Sequence, residues 1–324
     1  MSLLGCTIIV TGVLISTQPH LASLYIGLGI CLGTGGCICA ITGVLHINKQ
    51  FSGSSRGLAH GFSLAGNTIG GLLLPGLIAL MLDKYGFSWA MLIHAALILN
   101  IVPASLVFSS DKNLPVIDAN NGDDVRKNKD IFKNPRLWFC IFSMASTTVG
   151  YTNFGLYLPL HLHSSLNLSK TTAASFISIF AVGDLLGRLL GPTMSDKWPP
   201  RWTWYCAGLS GAGTAMLVLP ILSDIVMIGA VTLVAGLCSG VMVGVYPALL
   251  SDELGPENLS LTYPLSQTLA GILNLGGPPL LGAMASMMST TYVMIVLGSS
   301  LIVGSLPLFI ASLVSCTRKQ NSIT

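Results

Sequence analysis

The chain has 324 residues, of which 52% are hydrophobic and only 8% charged, with a mean hydropathy of +0.75. A soluble domain carries about 25% charged residues, so this composition excludes one and predicts an all-α polytopic membrane protein whose first partner is the lipid bilayer. The net charge of +3 says less than its distribution, and no nucleic-acid partner is expected.

A transmembrane helix needs about 20 apolar residues. On that ruler the hydropathy pattern predicts about ten spans: 2–16, 21–45, 58–81, 88–108, 138–161, 171–193, 203–222, 225–250, 262–286 and 291–315. The first has no basic lead-in and no small-residue cleavage site, so it reads as a membrane helix and not a signal peptide. The second carries Gly27, Gly29, Gly33, Gly35 and Gly36, a face suited to close helix contact. Between the fourth and fifth spans lies the one long polar stretch, 109–136, which reads as a cytoplasmic linker. The predicted organisation is an N-terminal helical half over 1–108, that linker, a six-helix half over 137–316 and a cytoplasmic tail over 317–324. Prolines interrupt several spans (Pro75, Pro103, Pro159, Pro247, Pro264, Pro278, Pro279 and Pro307), where they bend helices or only pack.

The sixth span holds the most informative stretch. Asp184 and Arg188 are the acid and base that fall at membrane depth, four residues apart with the acid first, so on a helix they share a face. A charge at the bilayer centre costs about 2.5–3.5 kcal/mol on insertion scales, so such residues mark a transport pathway, a pair or both. Gly183, Gly187 and Gly191 recur beside them as a smooth strip for a neighbouring helix. Other polar residues at membrane depth are Tyr151, Asn153 and Tyr157 in the fifth span, Tyr246 in the eighth, and Gln267 and Asn274 in the ninth. Asn153 and Tyr246 are candidates to line a substrate path, and packing serves each as an alternative. His60 could assist proton movement, since histidine titrates near neutrality, or simply sit near a helix end. His161 and His163, two apart, do not share a helix face, and no metal or other cofactor is expected beyond a coupling proton. The cysteines lack zinc-site or disulfide-framework spacing and read as buried small hydrophobes. Two sequons, Asn167-Leu168-Ser169 and Asn258-Leu259-Ser260, are expected to be unused, one for its closeness to the membrane and the other for its side.

A weak internal echo links Ala65-Gly66 through Pro75-Gly76 with Ala270-Gly271 through Gly282, each in the second-last span of its block. Two parallel six-helix halves joined by a cytoplasmic loop is the major facilitator layout; against it, the first half here is two helices short. Several stretches resemble one family of that superfamily, the monocarboxylate transporters. They are Arg56-Gly57-Leu58-Ala59-His60-Gly61 leading to Ala65-Gly66, the turn Leu82-Asp83-Lys84-Tyr85-Gly86, Phe180 to Arg188, the turn Asp252 to Ser260, and Gly277 to Gly282. The departures are His60, where many members have Asn, a basic run reduced to Arg56, and the absence of the first two helices. The resemblance implies that Arg56, Gly61 and Gly66 are signature positions, that Arg188 holds the substrate carboxylate, and that Asp184 handles the coupled proton. A guanidinium fork matches a carboxylate. Once substrate takes Arg188, Asp184 loses its partner and its proton affinity rises, which couples proton to anion.

The expected function is therefore a proton-linked carrier of small organic anions such as lactate or pyruvate. The resemblance further implies a multi-pass plasma-membrane location and, as in some relatives, a single-span accessory glycoprotein. Alternatives are a carrier of aromatic amino acids or other organic substrates, and a non-transporting truncated pseudo-carrier. An intramembrane aspartyl protease is disfavoured because Ala181 replaces a required glycine and no second intramembrane acid forms a dyad; no enzyme activity is expected.

Orientation follows from the basic residues. One set of loops holds Lys49, Arg56, Lys112, Arg126, Lys127, Lys129, Lys133, Arg136, Lys197, Arg201, Arg318 and Lys319; the opposite set holds Lys84 and Lys170. This bias puts the first set, and with it both termini, in the cytoplasm. Tags at either terminus should be protected from protease in intact cells, as should the loop around Asp123; cleavage of that loop from outside would reverse the orientation.

Overall fold

The computed structural model describes residues 2–51, 55–109, 131–198 and 200–321. Residues 110–130 of the expected linker lie outside that set. Every regular element among the described residues is helical: α1 (Ser2–Ile15), α2 (Leu21–Gln50), α3 (Arg56–Ile98), α4 (Ile101–Ser109), α5 (Pro135–Leu166), α6 (Lys170–Lys197), α7 (Arg201–Val218), α8 (Ile225–Leu254), α9 (Leu259–Leu275), α10 (Gly277–Met287) and α11 (Thr290–Asn321). The helix ends follow local chemistry. Asn134 accepts from the Arg136 amide ahead of α5, with Pro135 at its first turn, and Ser169 accepts from the Thr172 amide ahead of α6, each satisfying an otherwise orphaned donor. Gly86 interrupts α3 at φ 73°, ψ 175°, and Gly255 ends α8 at φ 90°, backbone conformations open to glycine.

By length and composition, seven described segments can cross a membrane, against about ten expected spans. The differences have local causes. The run Arg56–Pro103 counts once, although Gly86 turns it where the sequence reading divides two spans. Ser2–Ile15 is apolar but short. α5 is long enough, but Ser143, Ser146, Thr147, Thr148, Thr152 and Asn153 lower its hydropathy.

The residues cluster into two compact units. The first comprises Met1–Gln50 and Gly70–Asp118. Within it α1 packs against α2 and α4. Gly12 of α1 meets the Gly27 carbonyl inside a π-helical turn, Tyr25–Cys31, and Gly35 meets Gly5 and Ile9. Gly29, Gly33 and Gly36 face nothing within 4 Å, so the glycine face of this span is narrower than its sequence suggests. Ser2 donates to Ser105 at 2.9 Å, and the Cys6 thiol lies 2.8 Å from the same hydroxyl.

The second unit comprises Phe51–Ile69 and Ala119–Thr324. The sequence reading places 51–69 with the first half; here they group with the second, because the opening turns of α3 bond to α6 and α8 (below). The helix α11 also continues to Asn321, past the expected boundary at 316. At the centre of this unit α6 and α8 pack along a reciprocal glycine seam. A Cβ at Gly183, Gly187 or Gly191 would meet the backbone of Leu233 and Gly236, of Leu237 and Gly240, or of Val241. A Cβ at Gly236, Gly240 or Gly244 would meet Phe180 O, Asp184 O or Pro192. Lipid offers no hydrophobic drive for two helices to associate, so the contact rests on this close backbone approach. Around it, α7 packs on α8 and α11, and α5 on α11, α9 and α6. Pro159, Pro192, Pro247, Pro264 and Pro307 lie inside helices, whereas Pro278 and Pro279 restart the chain as α10 after α9 ends at Gly276.

The seam predicts a sharp positional contrast. Gly240→Val should abolish the folded, monodisperse protein, because its side chain meets the Asp184 and Arg188 backbones. Gly187→Ala should cost about 1–3 kcal/mol, the usual range for overpacking, read as a lower melting temperature by fluorescence-detected size exclusion. Gly155→Ala, with nothing within 4 Å of its Cβ position, should melt no lower than the parent.

Candidate functional site at a buried ion pair

The i,i+4 spacing on α6 places Asp184 and Arg188 on one face, and the glycines of the seam flank them. Asp184 is 0% and Arg188 1% exposed. Arg188 Nε donates to Asp184 Oδ2 at 2.8 Å. The same residue's Nη1 donates to the Leu64 carbonyl oxygen at 2.9 Å, and Nη2 donates to the Tyr151 hydroxyl at 2.8 Å. Asp184 Oδ2 collects two further donors, the Thr68 hydroxyl at 2.5 Å and the Tyr151 hydroxyl at 3.3 Å. Asp184 Oδ1 is buried with no hydrogen-bond partner among the described residues. A buried charge is tolerated only when paired and hydrogen-bonded. Here one oxygen carries the whole load and its twin none.

Three helices supply these groups: α3 through Leu64 and Thr68, α5 through Tyr151, and α6 through the pair. The Tyr151 ring lies 5.8 Å from the guanidinium carbon, within the range of a cation–π contact, and 5.9 Å from the Phe180 ring, which rests on Phe154 at 5.0 Å. Thr68 carries no motif, and the Leu64 contribution is a backbone carbonyl; only the fold selects them. Tyr151 was visible in the sequence as a polar residue at membrane depth.

Of the signature positions, Gly61 and Arg56 have structural partners here. A Cβ at Gly61 would overlap the Arg188 carbonyl oxygen and Pro192, so this glycine lets α3 reach α6 next to the pair. Gly66 faces nothing within 4 Å. Arg56 Nη1 donates to the Ser251 hydroxyl at 2.8 Å and lies 3.9 Å from Asp252 Oδ1. Asp252 also accepts from Arg201 Nη1, whose Nη2 is 2.6 Å from Asp196 Oδ1, and Asp196 Oδ2 accepts from the Leu58 amide at 3.1 Å in the first turn of α3. An anion at a helix N-terminus complements its dipole. This charged cluster ties α3, α6, α7 and α8 together at one end. Sequence reading counted Arg56 and Arg201 as loop charges, placed Asp252 in a turn and did not single out Asp196; the signal available was Asp196-Lys197 followed closely by Arg201.

The remaining candidates stand apart from the pair. Asn153 is buried and donates to the Val149 carbonyl at 2.8 Å and to Asn274 Oδ1 at 3.0 Å; Asn274 in turn donates to Thr152. Tyr157 donates to the Pro278 carbonyl at 3.1 Å. These bonds clamp α5 to the end of α9 and the start of α10. Tyr246 is buried in a row of aromatic rings, 5.6 Å from Tyr205 and 6.4 Å from Tyr263, and its hydroxyl points to the Cys140 carbonyl at 3.5 Å. None of these contacts reaches Arg188. His60 is fully buried, and neither ring nitrogen has a hydrogen-bond partner among the described residues. His161 bonds to Thr290 and Ser165 at the other end of α5.

Comparison with known proteins agrees with this architecture. Residues 1–272 match the profile of the Major Facilitator Superfamily. Human monocarboxylate transporter 12 is 22% identical over an alignment covering 98% of this chain and 68% of that protein. Mouse monocarboxylate transporter 11 is 28% identical, with 81% of this chain and 60% of that protein covered. Among solved structures, a human organic anion transporter (TETRAN) superposes with a TM-score of 0.70 at 14% identity, covering 95% of this chain and 76% of the other. The E. coli fucose:proton symporter gives 0.69 at 12%, covering 94% and 84%. The likeness in fold holds although the sequences have diverged, and the motif resemblance to monocarboxylate transporters recurs across most of the chain. With its helical fold and a profile match over most of its length, this chain belongs to the Major Facilitator Superfamily.

Proposed function

We propose that the chain carries monocarboxylates of the lactate and pyruvate class across the plasma membrane in symport with a proton. One observation carries the reading: a guanidinium 1% exposed, set in the middle of an apolar helix, with one formal negative charge and two neutral acceptors on its donors. Guanidinium hydrogen bonds to a carboxylate are charge-assisted and roughly twice as strong as those to neutral groups. A substrate carboxylate can therefore take the place of the Leu64 carbonyl and the Tyr151 hydroxyl at Nη1 and Nη2. Asp184 then shares its partner with a second anion, and uptake of a proton relieves the excess negative charge. The names of the relatives, monocarboxylate transporters 11 and 12, support the same substrate class. In this scheme Arg188 is the anion-holding residue and Asp184 the proton carrier. The buried His60 on α3 is a second group for the proton path, while Asn153 and Tyr246 shape the walls more remotely.

The test is uptake of labelled lactate and pyruvate, with an imposed pH gradient, in cells lacking their own monocarboxylate carriers. Arg188→Lys should lose at least about tenfold in uptake, because a point charge does not replace the planar fork. Asp184→Asn should lose acceleration by the proton gradient while retaining exchange of labelled for unlabelled substrate. Wild-type-like, proton-driven uptake in both variants would leave the pair a structural device and sink the reading.

A further inference from the structure

The Asp184–Arg188 pair is built asymmetrically. A guanidinium presents Nε–H and one Nη2–H along one edge, and an aspartate four residues away on the same helix can close on that edge with both oxygens. Here only Oδ2 does so, at 2.8 Å from Nε. The Nη2 donor is held instead by the Tyr151 hydroxyl at 2.8 Å, and Asp184 Oδ1 is left buried with no partner among the described residues. An unpartnered carboxylate oxygen beside a guanidinium is costly, so something must hold the two-point pair open. The candidate is in contact with both halves of the pair. Tyr151 accepts from Nη2 and donates to Oδ2 at 3.3 Å, so its hydroxyl stands on the edge where the second carboxylate oxygen would bind. Its ring is braced by Phe180, itself against Phe154, which fixes where the hydroxyl sits. Thr68, donating to Oδ2 at 2.5 Å, keeps the carboxylate turned with that oxygen toward Arg188.

We propose that Tyr151 is a positioning residue that wedges the Asp184–Arg188 pair open at one point, keeping Nη2 exchangeable for an incoming carboxylate. The inference rests on the reading of Arg188 as the anion-holding group. A neutral phenol is a weaker acceptor for a guanidinium than a carboxylate is. Substrate displaces it easily, whereas a two-point internal ion pair would compete with substrate on equal terms. The wedge thus acts through Asp184, and its effect should vanish when Asp184 can no longer close on two donors.

Tyr151→Phe keeps the ring and its contact with Phe180 but deletes the hydroxyl. In a structure of this variant, Asp184 Oδ1 should turn onto Arg188 Nη2; an Oδ1 still without a partner, with Nη2 left empty, would overturn the proposal. Binding supplies the second arm, with pyruvate titrated against the melting temperature of the purified chain in lipid nanodiscs and pyruvamide as the uncharged control. Affinity should fall about tenfold in Tyr151→Phe, the scale of one charge-assisted hydrogen bond. Tyr151→Leu, a second route to losing the hydroxyl, should move the same way. In an Asp184→Asn background the same Tyr151→Phe change should alter pyruvate affinity by less than about twofold, because an amide has a single acceptor oxygen. A tenfold fall that persists in that background would mean that Tyr151 touches substrate directly, and the wedge would be wrong. A structure with the pair closed in Tyr151→Phe, together with no pyruvate binding by the parent chain, would instead sink the monocarboxylate reading while leaving the wedge standing.

Discussion

A carboxylate and a guanidinium shut away from water have to be matched donor for acceptor, and the second unit of this protein is arranged around that requirement. Desolvating such a pair costs several kcal/mol per ion, and the attraction between the two repays it only with help from neighbouring dipoles. Help comes from three directions: the Thr68 hydroxyl, the Leu64 carbonyl and the Tyr151 hydroxyl. Each sits on a helix that must come close to α6. The glycine at 61 admits α3, and the glycines of α6 and α8 interlock on the adjoining face. Small residues and charged residues on one helix are thus two parts of one solution, since the backbone can approach only where side chains are absent.

The arrangement is economical in its chemistry but incomplete by one atom. Among the described residues three donors converge on Asp184 Oδ2, and Oδ1 has none. In a purely structural pair such an orphan would be expected to disappear through a small rotation or an apolar replacement. Here it stands beside an arginine whose other donors are held by neutral groups, the arrangement that the proposed exchange of partners at Arg188 would use. The charged cluster of Arg56, Asp196, Arg201 and Asp252 differs in kind. It lies at a helix end, and its pairs with the partly exposed Asp252 gain less from a low dielectric, although Arg201 and Asp196 are largely shielded. Its clearest contribution is geometric: Asp196 fixes the first turn of α3 through the Leu58 amide, and that turn leads directly to Gly61, Leu64 and Thr68.

Much of the architecture was legible in the chain. Apolar runs and a scarcity of charge identify membrane helices, glycines at four-residue spacing mark the packed strip of α6 though not that of α2, and five short stretches in order resemble one transporter family. The Asp184–Arg188 spacing alone places the two on one helix face, because 3.6 residues make a turn. The number of spans was the less secure part: ten apolar runs against seven described helices long and apolar enough to cross, because α5 is rich in hydroxyls and Arg56–Pro103 counts once although Gly86 turns it between two expected spans.

What only the tertiary structure decided is who completes the site. Thr68, Leu64 and Tyr151 lie 116, 124 and 37 residues from their partners, and neither a threonine in an apolar run nor a backbone carbonyl announces itself in a sequence. Tyr246 and Asn153 looked equally eligible as polar interruptions, yet one packs at a tilt between two tyrosines and the other clamps α5 to α9. The sequence determined the solvent, the helices and the charged pair, since these depend on composition and on local period. The identity of the pair's hydrogen-bond partners depends on which helix faces meet, and that is set by long-range packing of small residues, which no local pattern encodes.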